Sequence, residues 1–428
     1  MEEFVIEGRC TLRGTVTPSG NKNAAFPTVA AALLTDEPVI LRNLPDIGDV
    51  RTLLEIVRDL GVEVTYHDAH TVTLRAGAIR KLTPDARLFG HIRGALVLMG
   101  ALLGREGRVE IPQPGGDQIG RRRIDTHLLA LRQLGAEIHH GERLALSCRQ
   151  LQAADILLDE ASVTATENAV LAAVTAQGTT IIRNAASEPH VQDLCLMLNQ
   201  MGGRISGIGS NMLTIEGVPR LQGVDYTLGA DYIEVGSYIV LAAVTGSEVL
   251  IQNASPEHMR MILMMYDRLG IRAEVRGRDI WVGPDQPLTI TPDLGDAIPK
   301  IDDAPWPGFP ADMMSVSIVG ATQSSGIVLF HEKLFESRLF FVDRLIGMGA
   351  HIVLCDPHRC IVQGPTRLHA EGQGIASPDI RAGMALLIAA LCAEGTSIIR
   401  NIGQIDRGYE CVEEKLQALG ARIKRVKT

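Results

Sequence analysis

An internal repeat constrains the fold of this chain more than any other feature of its sequence. One pattern recurs six times: a small-residue helix, a turn, a β-rich run, a longer helix, and a hydrophobic-Gly pair that leads into another strand. The pairs end at Gly61, Gly135, Gly202, Gly270, Gly349 and Gly420. These glycines are about 70 residues apart, so each unit is longer than a solenoid repeat and large enough for a small βαβ-type layer.

Each of the six glycines is predicted to lie just past the end of a helix, because glycine adopts the left-handed conformation there at little cost. The segments after them, such as VEVTYH and ARIKRV, alternate apolar and polar residues, which is typical of half-buried strands. A chain of 428 residues is too long for one ordinary core. We therefore expect two domains of three repeats each, with the ligand site in the cleft between them.

Composition and charge indicate a globular protein without a broad nucleic-acid surface. Hydrophobic residues make up 46% of the chain and aromatic residues only 4%, so the core is expected to consist of Ala, Val, Ile and Leu. The net charge of −9 disfavours a nucleic-acid partner, which needs a basic face. A few arginines can still form a local site for anions.

Cysteine usage and hydropathy predict a cytoplasmic protein without a membrane partner. The seven cysteines are scattered, and their spacing fits neither a disulfide framework nor a zinc site. The N-terminus has no signal-peptide pattern. The longest apolar run, Ala382 to Ala393, is too short to span a bilayer.

Two segments combine basic residues with a turn or a helix start, as anion sites do. In SGNKNAA, Lys22 follows a turn and opens a helix-forming run, so backbone N–H groups and an ammonium could face an anion. A capped helix with a solvated lysine is the alternative. In PGGDQIGRRR, a Gly-rich loop with Asp117 ends in Arg121, Arg122 and Arg123, whose guanidinium groups suit phosphate oxygens. A solvated surface loop is the alternative there.

Further candidates lie beside apolar helices. Asp312 follows a Pro-rich stretch and precedes an apolar helix, where it could act as a base or simply cap the helix. Four arginines stand in or before apolar helices of separate repeats: Arg93, Arg338, Arg381 and Arg407. They could form one cationic pocket or separate surface salt bridges.

These segments, in this order and on six repeats, resemble the enolpyruvyl transferase family, and within it the enzymes that act on UDP-N-acetylglucosamine. The resemblance covers essentially the whole chain and rests on the combination of SGNKNA, PGG-x-x-IG-x-R, FPADM, FESR, SPDIRAG and DRGYE. It implies an α/β fold of two similar domains, each with three βαβαββ units about a pseudo-threefold axis (an inside-out α/β barrel). The first domain would hold residues 21–228, and the second residues 1–20 plus 229–428.

The resemblance also implies roles for individual residues. Lys22, Asp117, Asp312 and Arg407 would be catalytic, with Asp312 as the base over the sugar 3-hydroxyl and Asp117 as a general acid. Residues 124–127 would hold the uracil, and residues 161–163 the diphosphate. The substrate contacts would come from Lys22, Asn23, Arg93, Arg122, Arg123, Ile124, Asp125, Thr126, His127, Ala161, Ser162, Val163, Asp312, Leu334, Arg338, Asp379, Arg381 and Arg407.

The reaction so implied moves the enolpyruvyl group of phosphoenolpyruvate onto UDP-N-acetylglucosamine, the first committed step of peptidoglycan synthesis. Fixed cations are needed to bind the carboxylate and phosphate of phosphoenolpyruvate, and a carboxylate is needed to take the proton of the attacking hydroxyl. No metal or organic cofactor is required. The protein is expected to be a monomer or a weak homo-oligomer.

Three positions depart from the usual pattern of the family. Asp117 stands where most members have the cysteine that fosfomycin alkylates, so the resemblance implies fosfomycin resistance. Thr164 replaces a glycine that usually follows the diphosphate segment, and Arg123 replaces a common proline. Both substitutions lie beside segments that the resemblance assigns to the nucleotide, so they are expected to affect how the nucleotide fits.

Three other functions remain open from the sequence. The sister enzyme that makes 5-enolpyruvylshikimate 3-phosphate shares the fold and the donor, and a paralogue could use another UDP-sugar. A non-enzymatic ring, such as a DNA clamp, also has sixfold repeats and an acidic total. Such a ring would not need Lys22, Arg122, Asp312 and Arg407 to converge.

Overall fold

The structure is a computed structural model that describes residues 2–116 and 122–427. The described residues of Met1–Ser19 and Ala230–Thr428 form one compact unit, which we call the terminal unit. Those of Gly20–Asp117 and Arg122–Gly229 form the other, the middle unit. No helix among the described residues is long and apolar enough to cross a membrane.

The strands are short, with two to six residues each. They are β1 (Glu2–Glu7), β2 (Arg13–Val16), β3 (Val39–Arg42), β4 (Glu63–Tyr66), β5 (Val72–Arg75), β6 (Arg108–Ile111), β7 (Glu137–His140), β8 (Leu144–Ser147), β9 (Asp155–Leu157), β10 (Thr179–Arg183), β11 (Arg204–Ser206), β12 (Met212–Glu216), β13 (Val224–Thr227), β14 (Glu248–Ile251), β15 (Glu274–Arg276), β16 (Asp279–Val282), β17 (Lys300–Asp302), β18 (Gly326–His331), β19 (His351–Asp356), β20 (Arg359–Gly364), β21 (Ile375–Ala376), β22 (Thr396–Arg400) and β23 (Arg422–Lys427).

The α-helices alternate with these strands. They are α1 (Lys22–Ala31), α2 (Gly48–Asp59), α3 (Ala86–Phe89), α4 (Leu98–Glu106), α5 (Asp125–Gln133), α6 (Val163–Ala173), α7 (Pro189–Gln200), α8 (Tyr232–Val244), α9 (Arg260–Arg268), α10 (Met314–Gln323), α11 (Val342–Gly347), α12 (Ile380–Cys392), α13 (Gly403–Asp406) and α14 (Val412–Ala418). Short 3-10 turns precede several of them, including Arg93–Val97 before α4 and Ala311–Met313 before α10.

The six repeats correspond to six small sheets, and five of these have the same four-stranded design among the described residues. In the third repeat, β10 pairs in parallel with β9 on one side and antiparallel with β12 on the other, and β11 lies at the edge beside β12. The orders β13-β3-β5-β4, β2-β14-β16-β15 and β17-β18-β20-β19 follow the same plan. Within the described residues, the second repeat has the three-stranded order β6-β8-β7. The sixfold repeat predicted from the sequence is therefore confirmed.

The sixth sheet uses the two ends of the chain. Its order is β21-β22-β1-β23, so β1 occupies the place that β12 has in the third repeat. β1 is antiparallel to both neighbours, and its register joins Glu2 to Lys427 and Glu7 to Arg422. The sixth repeat is thus split along the sequence. Its strand β1 lies near the N-terminal end, and its strand β23 lies near the C-terminal end.

Three helices of each unit, one from each repeat, pack against one another and are nearly completely buried. They are α1, α4 and α6 in the middle unit and α8, α10 and α12 in the terminal unit. We call them the central helices. The apolar core of the middle unit consists mainly of Ala, Val, Ile and Leu, as predicted, and its few aromatic members include Phe26, Phe89 and Tyr226.

The six repeated glycines follow the helices α2, α5, α7, α9, α11 and α14. All six have positive φ, between 73° and 109°, and this confirms the predicted left-handed conformation past each helix. The strands β4 and β23 come from the VEVTYH and ARIKRV segments, as predicted. Four asparagines after the β-rich runs also have positive φ, of 51° to 57°: Asn43, Asn184, Asn253 and Asn401.

Candidate functional site

Several predicted site residues of each unit lie at the starts of the central helices. Lys22 is the first residue of α1, Arg93 opens the turn before α4, and Ser162 precedes α6. In the terminal unit, Asp312 lies in the turn before α10, and Arg381 is the second residue of α12. The N-terminal end of a helix carries unpaired N–H groups and a partial positive charge, so these ends favour anions.

In the middle unit, Lys22 is part of a buried ion pair. The side chain of Asn21 caps α1 by accepting from the N–H groups of Asn23 at 2.9 Å and Ala24 at 3.3 Å. The Lys22 ammonium lies 2.9 Å from a carboxylate oxygen of Asp49, and both side chains are less than a tenth exposed. The capped helix is therefore present, but the alternative of a solvated lysine is wrong.

Arg93 fixes the chain that follows the Gly-rich loop. Its guanidinium donates to the carbonyl oxygen of Arg122 at 2.6 Å and to that of Arg123 at 3.2 Å. The Arg123 guanidinium in turn pairs with Asp125 at 3.2 Å and with Asp159 at 3.0 Å. The backbone of Arg122 and Arg123 is thus held by the residue that opens the turn before α4. Asp117, predicted as the general acid, lies outside the described residues.

The segments predicted to hold the uracil and the diphosphate are adjacent. Ile124 precedes α5, and Asp125 is its first residue. The Thr126 hydroxyl donates to Asp159 at 2.7 Å, just before the segment Ala161–Val163. His127 lies against Thr164 in the first turn of α6. Side chains of α5 therefore contact the start of α6.

In the terminal unit, Asp312 lies between two arginines. One carboxylate oxygen accepts from Arg338 and the other from the Nε–H of Arg381, at 3.0 Å in the latter case. Burial alone would raise the pKa of the Asp312 carboxyl, but the positive charges of Arg381 and Arg338 hold it well below its usual range. A quarter of the Asp312 side chain is exposed, against 6% for each arginine. The ionised carboxylate is thus the accessible member of the cluster.

These contacts decide between the alternatives left open by the sequence. Asp312 makes no capping hydrogen bond, so its interpretation as a helix cap is wrong. Arg338 and Arg381 are buried, so they are not surface salt bridges. The Nε of Arg338 and one Nη of Arg381 are buried and have no hydrogen-bond acceptor among the described residues. Each guanidinium group therefore has one buried donor whose hydrogen-bonding capacity is unused.

The neighbours of the Asp312 cluster fix its arginines. Asp379 caps α12 by accepting from the N–H groups of Arg381 at 2.8 Å and Ala382 at 2.9 Å. The Arg381 guanidinium lies over the ring of Tyr409, 5.5 Å from its centroid.

Two other predicted site residues lie elsewhere in the terminal unit. Leu334 is exposed, and its backbone N–H donates to Asp303. The Arg407 guanidinium donates to the side chain of Gln404 at 2.9 Å.

Several partners of these residues were not identified from the sequence. Asp49 and Asp159 each neutralise a basic site residue, and Tyr409 lies under Arg381. Asn168 hydrogen-bonds His127 from inside α6. A signal for Asn168 was available, because ATENAVLAA places charged and amide side chains in an otherwise apolar helix. Asp49 and Asp159 have no such signal.

The model of a known family matches most of the chain. Residues 6–416 match the family EPSP synthase (3-phosphoshikimate 1-carboxyvinyltransferase). Among solved structures, the enolpyruvyl transferase NikO from Streptomyces tendae superposes with a TM-score of 0.88 at 26% identity, over 100% of this chain and 99% of that one. The EPSP synthase from Acinetobacter baumannii has the same fold, with a TM-score of 0.76 at 18% identity over both whole chains. The chain therefore belongs to the EPSP synthase family of enolpyruvyl transferases.

Curated relatives are similar to this chain over its whole length. A UDP-N-acetylglucosamine 1-carboxyvinyltransferase from Bradyrhizobium diazoefficiens is 54% identical over 99% of this chain and 98% of its own. One from Treponema denticola is 51% identical over 99% of both chains. The predicted family and the predicted two-domain α/β fold are thereby confirmed.

Proposed function

We propose that this protein transfers the enolpyruvyl group of phosphoenolpyruvate to the 3-hydroxyl of UDP-N-acetylglucosamine and releases phosphate. The observation that carries this proposal is the Asp312 cluster, in which an ionised, accessible carboxylate lies between two buried guanidinium groups with spare donors. The cluster combines a proton acceptor with cations for an anionic substrate. The relatives at about half identity bear the name of this reaction.

The reaction proceeds by addition and elimination. Asp312 takes the proton of the 3-hydroxyl while the sugar oxygen bonds to C2 of phosphoenolpyruvate and C3 receives a proton. Phosphate then leaves C2 as C3 loses a proton, so the vinyl ether forms. Asp312 is a weak base while both arginines neutralise it, and a substrate anion that draws on the same guanidinium groups raises its proton affinity.

The remaining predicted residues fit substrate binding. Lys22, Arg122 and Arg407 supply positive charge for the carboxylate and phosphate of phosphoenolpyruvate, and Arg93 holds the backbone of Arg122 in place. The starts of α5 and α6 take the uridine and the diphosphate. The two compact units serve as the two domains of the enzyme. The product enters peptidoglycan synthesis in the cytoplasm, and the protein thereby supports cell-wall growth and division.

A phosphate-release assay tests this function. Purified protein is mixed with phosphoenolpyruvate and one of three acceptors: UDP-N-acetylglucosamine, UDP-N-acetylgalactosamine or shikimate 3-phosphate. We expect rapid phosphate release with the first acceptor only, and a product with the mass of the enolpyruvyl ether. Faster phosphate release with either of the other acceptors would show that the proposed acceptor is wrong. No phosphate release with any of the three would refute enolpyruvyl transfer.

Asp117 leads to a further proposal, namely resistance to fosfomycin. A carboxylate is a much weaker nucleophile toward an epoxide than a thiolate, so the unmodified protein should form no adduct. Asp117→Cys should become inactivated with time, and mass spectrometry should show one inhibitor adduct on the new cysteine. An adduct on any residue of the unmodified protein would contradict this role of position 117.

A further inference from the structure

Tyr409, the tyrosine of the DRGYE motif, lies beside Arg381 in the core of the terminal unit. It is 1% exposed. The centroid of its ring is 5.5 Å from the guanidinium carbon of Arg381, and its hydroxyl hydrogen-bonds the Arg381 side chain. The hydroxyl oxygen also lies 3.1 Å from the Oγ of Ser237, which is completely buried in α8. Tyr409 therefore connects an arginine of the Asp312 cluster to a central helix.

The direction of each hydrogen bond in this chain follows from its last member. Ser237 donates its single hydroxyl hydrogen to the carbonyl oxygen of Ile233 at 2.8 Å, and a carbonyl oxygen can only accept. The hydroxyl of Tyr409 is therefore the donor to the Oγ of Ser237. The phenolic oxygen is left as an acceptor, and the guanidinium of Arg381, which has only donors, donates to it. The hydroxyl hydrogens of Tyr409 and Ser237 are thus both used.

Tyr409 holds Arg381 without neutralising it. The Nε–H of Arg381 donates to Asp312 at 3.0 Å, which fixes one edge of the guanidinium and offsets part of its charge. That carboxylate is shared, because its other oxygen accepts from Arg338. One contact alone would leave the guanidinium free to pivot, since the long arginine side chain has many rotamers. A neutral phenol supplies the second contact, so two guanidinium groups and one carboxylate keep a net positive charge for a substrate anion.

We infer that Tyr409 is a positioning residue, whose hydroxyl holds the Arg381 guanidinium in the orientation that binds phosphoenolpyruvate. The inference rests on the proposed function, in which the buried guanidinium groups of the Asp312 cluster serve an anionic substrate. Tyr409 acts through Arg381 and makes no contact of its own with the substrate. Loss of a hydrogen bond to a charged group typically changes an affinity by about tenfold or more, so the effect is large enough to measure.

Steady-state kinetics of Tyr409→Phe test the inference, because this change keeps the ring and removes only the hydroxyl. We expect the KM for phosphoenolpyruvate to rise about tenfold, while the KM for UDP-N-acetylglucosamine and kcat change less than about twofold. Tyr266→Phe is the matched control. Tyr266 is completely buried in the same core, and its hydroxyl donates to the carbonyl oxygen of Gly236 at 3.1 Å. This control should also lose stability, but it should keep both KM values.

A second variant and a double-mutant cycle show whether Tyr409 acts through Arg381. Ser237→Ala leaves the tyrosine in place and removes the acceptor that orients its hydroxyl, so the same KM should rise by a smaller factor. Arg381→Met removes the guanidinium, so Tyr409→Phe should lower the urea midpoint clearly less in that background than in the unmodified protein. Circular dichroism checks that every variant is folded.

The outcomes separate the inference from the proposed function. An unchanged KM for phosphoenolpyruvate in either Tyr409→Phe or Ser237→Ala, an equal rise in Tyr266→Phe, or equal urea shifts in the two backgrounds would each overturn the inference. A rise confined to the KM for phosphoenolpyruvate, together with coupled urea shifts, would support it. If the unmodified protein releases no phosphate with any acceptor, the proposed function itself is wrong, and the urea cycle reports only on the bond between Tyr409 and Arg381.

Discussion

Asp312 neutralises two guanidinium groups that water hardly reaches. Each arginine side chain is 6% exposed, so removal of the carboxylate charge leaves two buried cations without a counter-ion. We expect Asp312→Asn to lower the free energy of unfolding by about 3 kcal/mol, the usual scale for breaking a buried ion pair. Urea titration of both proteins measures this difference.

The same substitution tests the proposed catalytic role of Asp312. At a temperature where the variant remains folded, turnover should fall at least ~10²-fold, because the proton acceptor is lost, while substrate affinity changes far less. Stopped phosphate-release assays give kcat, and calorimetry gives the affinity. If stability falls but kcat stays near that of the unmodified protein, Asp312 is only a counter-ion for the arginines.

Glu332 should make the protein less stable as the pH rises. It is completely buried, and burial together with the neighbouring Asp303 raises its pKa to about 9. Between its ordinary pKa of 4.5 and about 9, only the folded state keeps the proton, so stability falls with pH by at most ~1.4 kcal/mol per unit and levels off above 9. Glu332→Gln should remove this slope in melting curves from pH 5 to 9. An unchanged slope would show that Glu332 is ionised in the folded protein.

Short motifs predicted the candidate basic and acidic site residues, but they did not predict the partners of those residues. Asp312 bonds Arg338 and Arg381 from 26 and 69 residues away along the chain. Such pairing depends on how two repeats come together, and no local pattern encodes it. For the same reason the sequence left the Asp312 cap and the surface salt bridges open as alternatives.

At the level of elements, α4 and α6 approach so closely that only glycine fits between them. A Cβ atom on Gly100 would lie 2.3 Å from the carbonyl oxygen of Asn168, and neither backbone can move easily. Gly100→Ala should therefore destabilise the middle unit by at least ~2 kcal/mol through overpacking. Gly48→Ala is the control, because its Cβ would meet nothing within 4 Å and the helix α2 gains from alanine. Equal melting temperatures of the two variants would contradict this packing.

The sequence predicted those elements that have a clear local pattern of residues, such as a glycine after a helix or an alternation of apolar and polar residues. The helix-ending glycines and the strands after them follow from turn chemistry and alternation. The parallel outer strands were not separately identified. Three of them have only two or three residues, too few for an alternating pattern: β9, β17 and β21. Each becomes a strand through parallel pairing with the neighbouring strand, which the sequence of the short segment alone does not predict.

At the scale of the whole molecule, the two chain ends are adjacent strands of one sheet. The register joins Glu2 to Lys427, so a short Gly-rich linker can connect the ends as a hairpin. A cyclised protein should keep the fold and melt at a higher temperature, because the linker reduces the entropy of the unfolded chain. The control is the same protein cut within the linker. An equal or lower melting temperature after cyclisation would show that the ends are strained by joining.

The position of β1 between β22 and β23 also has a consequence during synthesis. At 5–20 residues per second, synthesis from β1 to β23 takes roughly 20 to 90 seconds. The middle unit can fold as soon as it has emerged. β1 has to wait for β22 and β23, which are made much later. Until then Phe4 and Ile6, which are completely buried in the folded protein, are exposed. During that interval a strand with two core side chains is unpaired and available to other nascent chains, so a chaperone that covers β1 should increase the yield of folded protein.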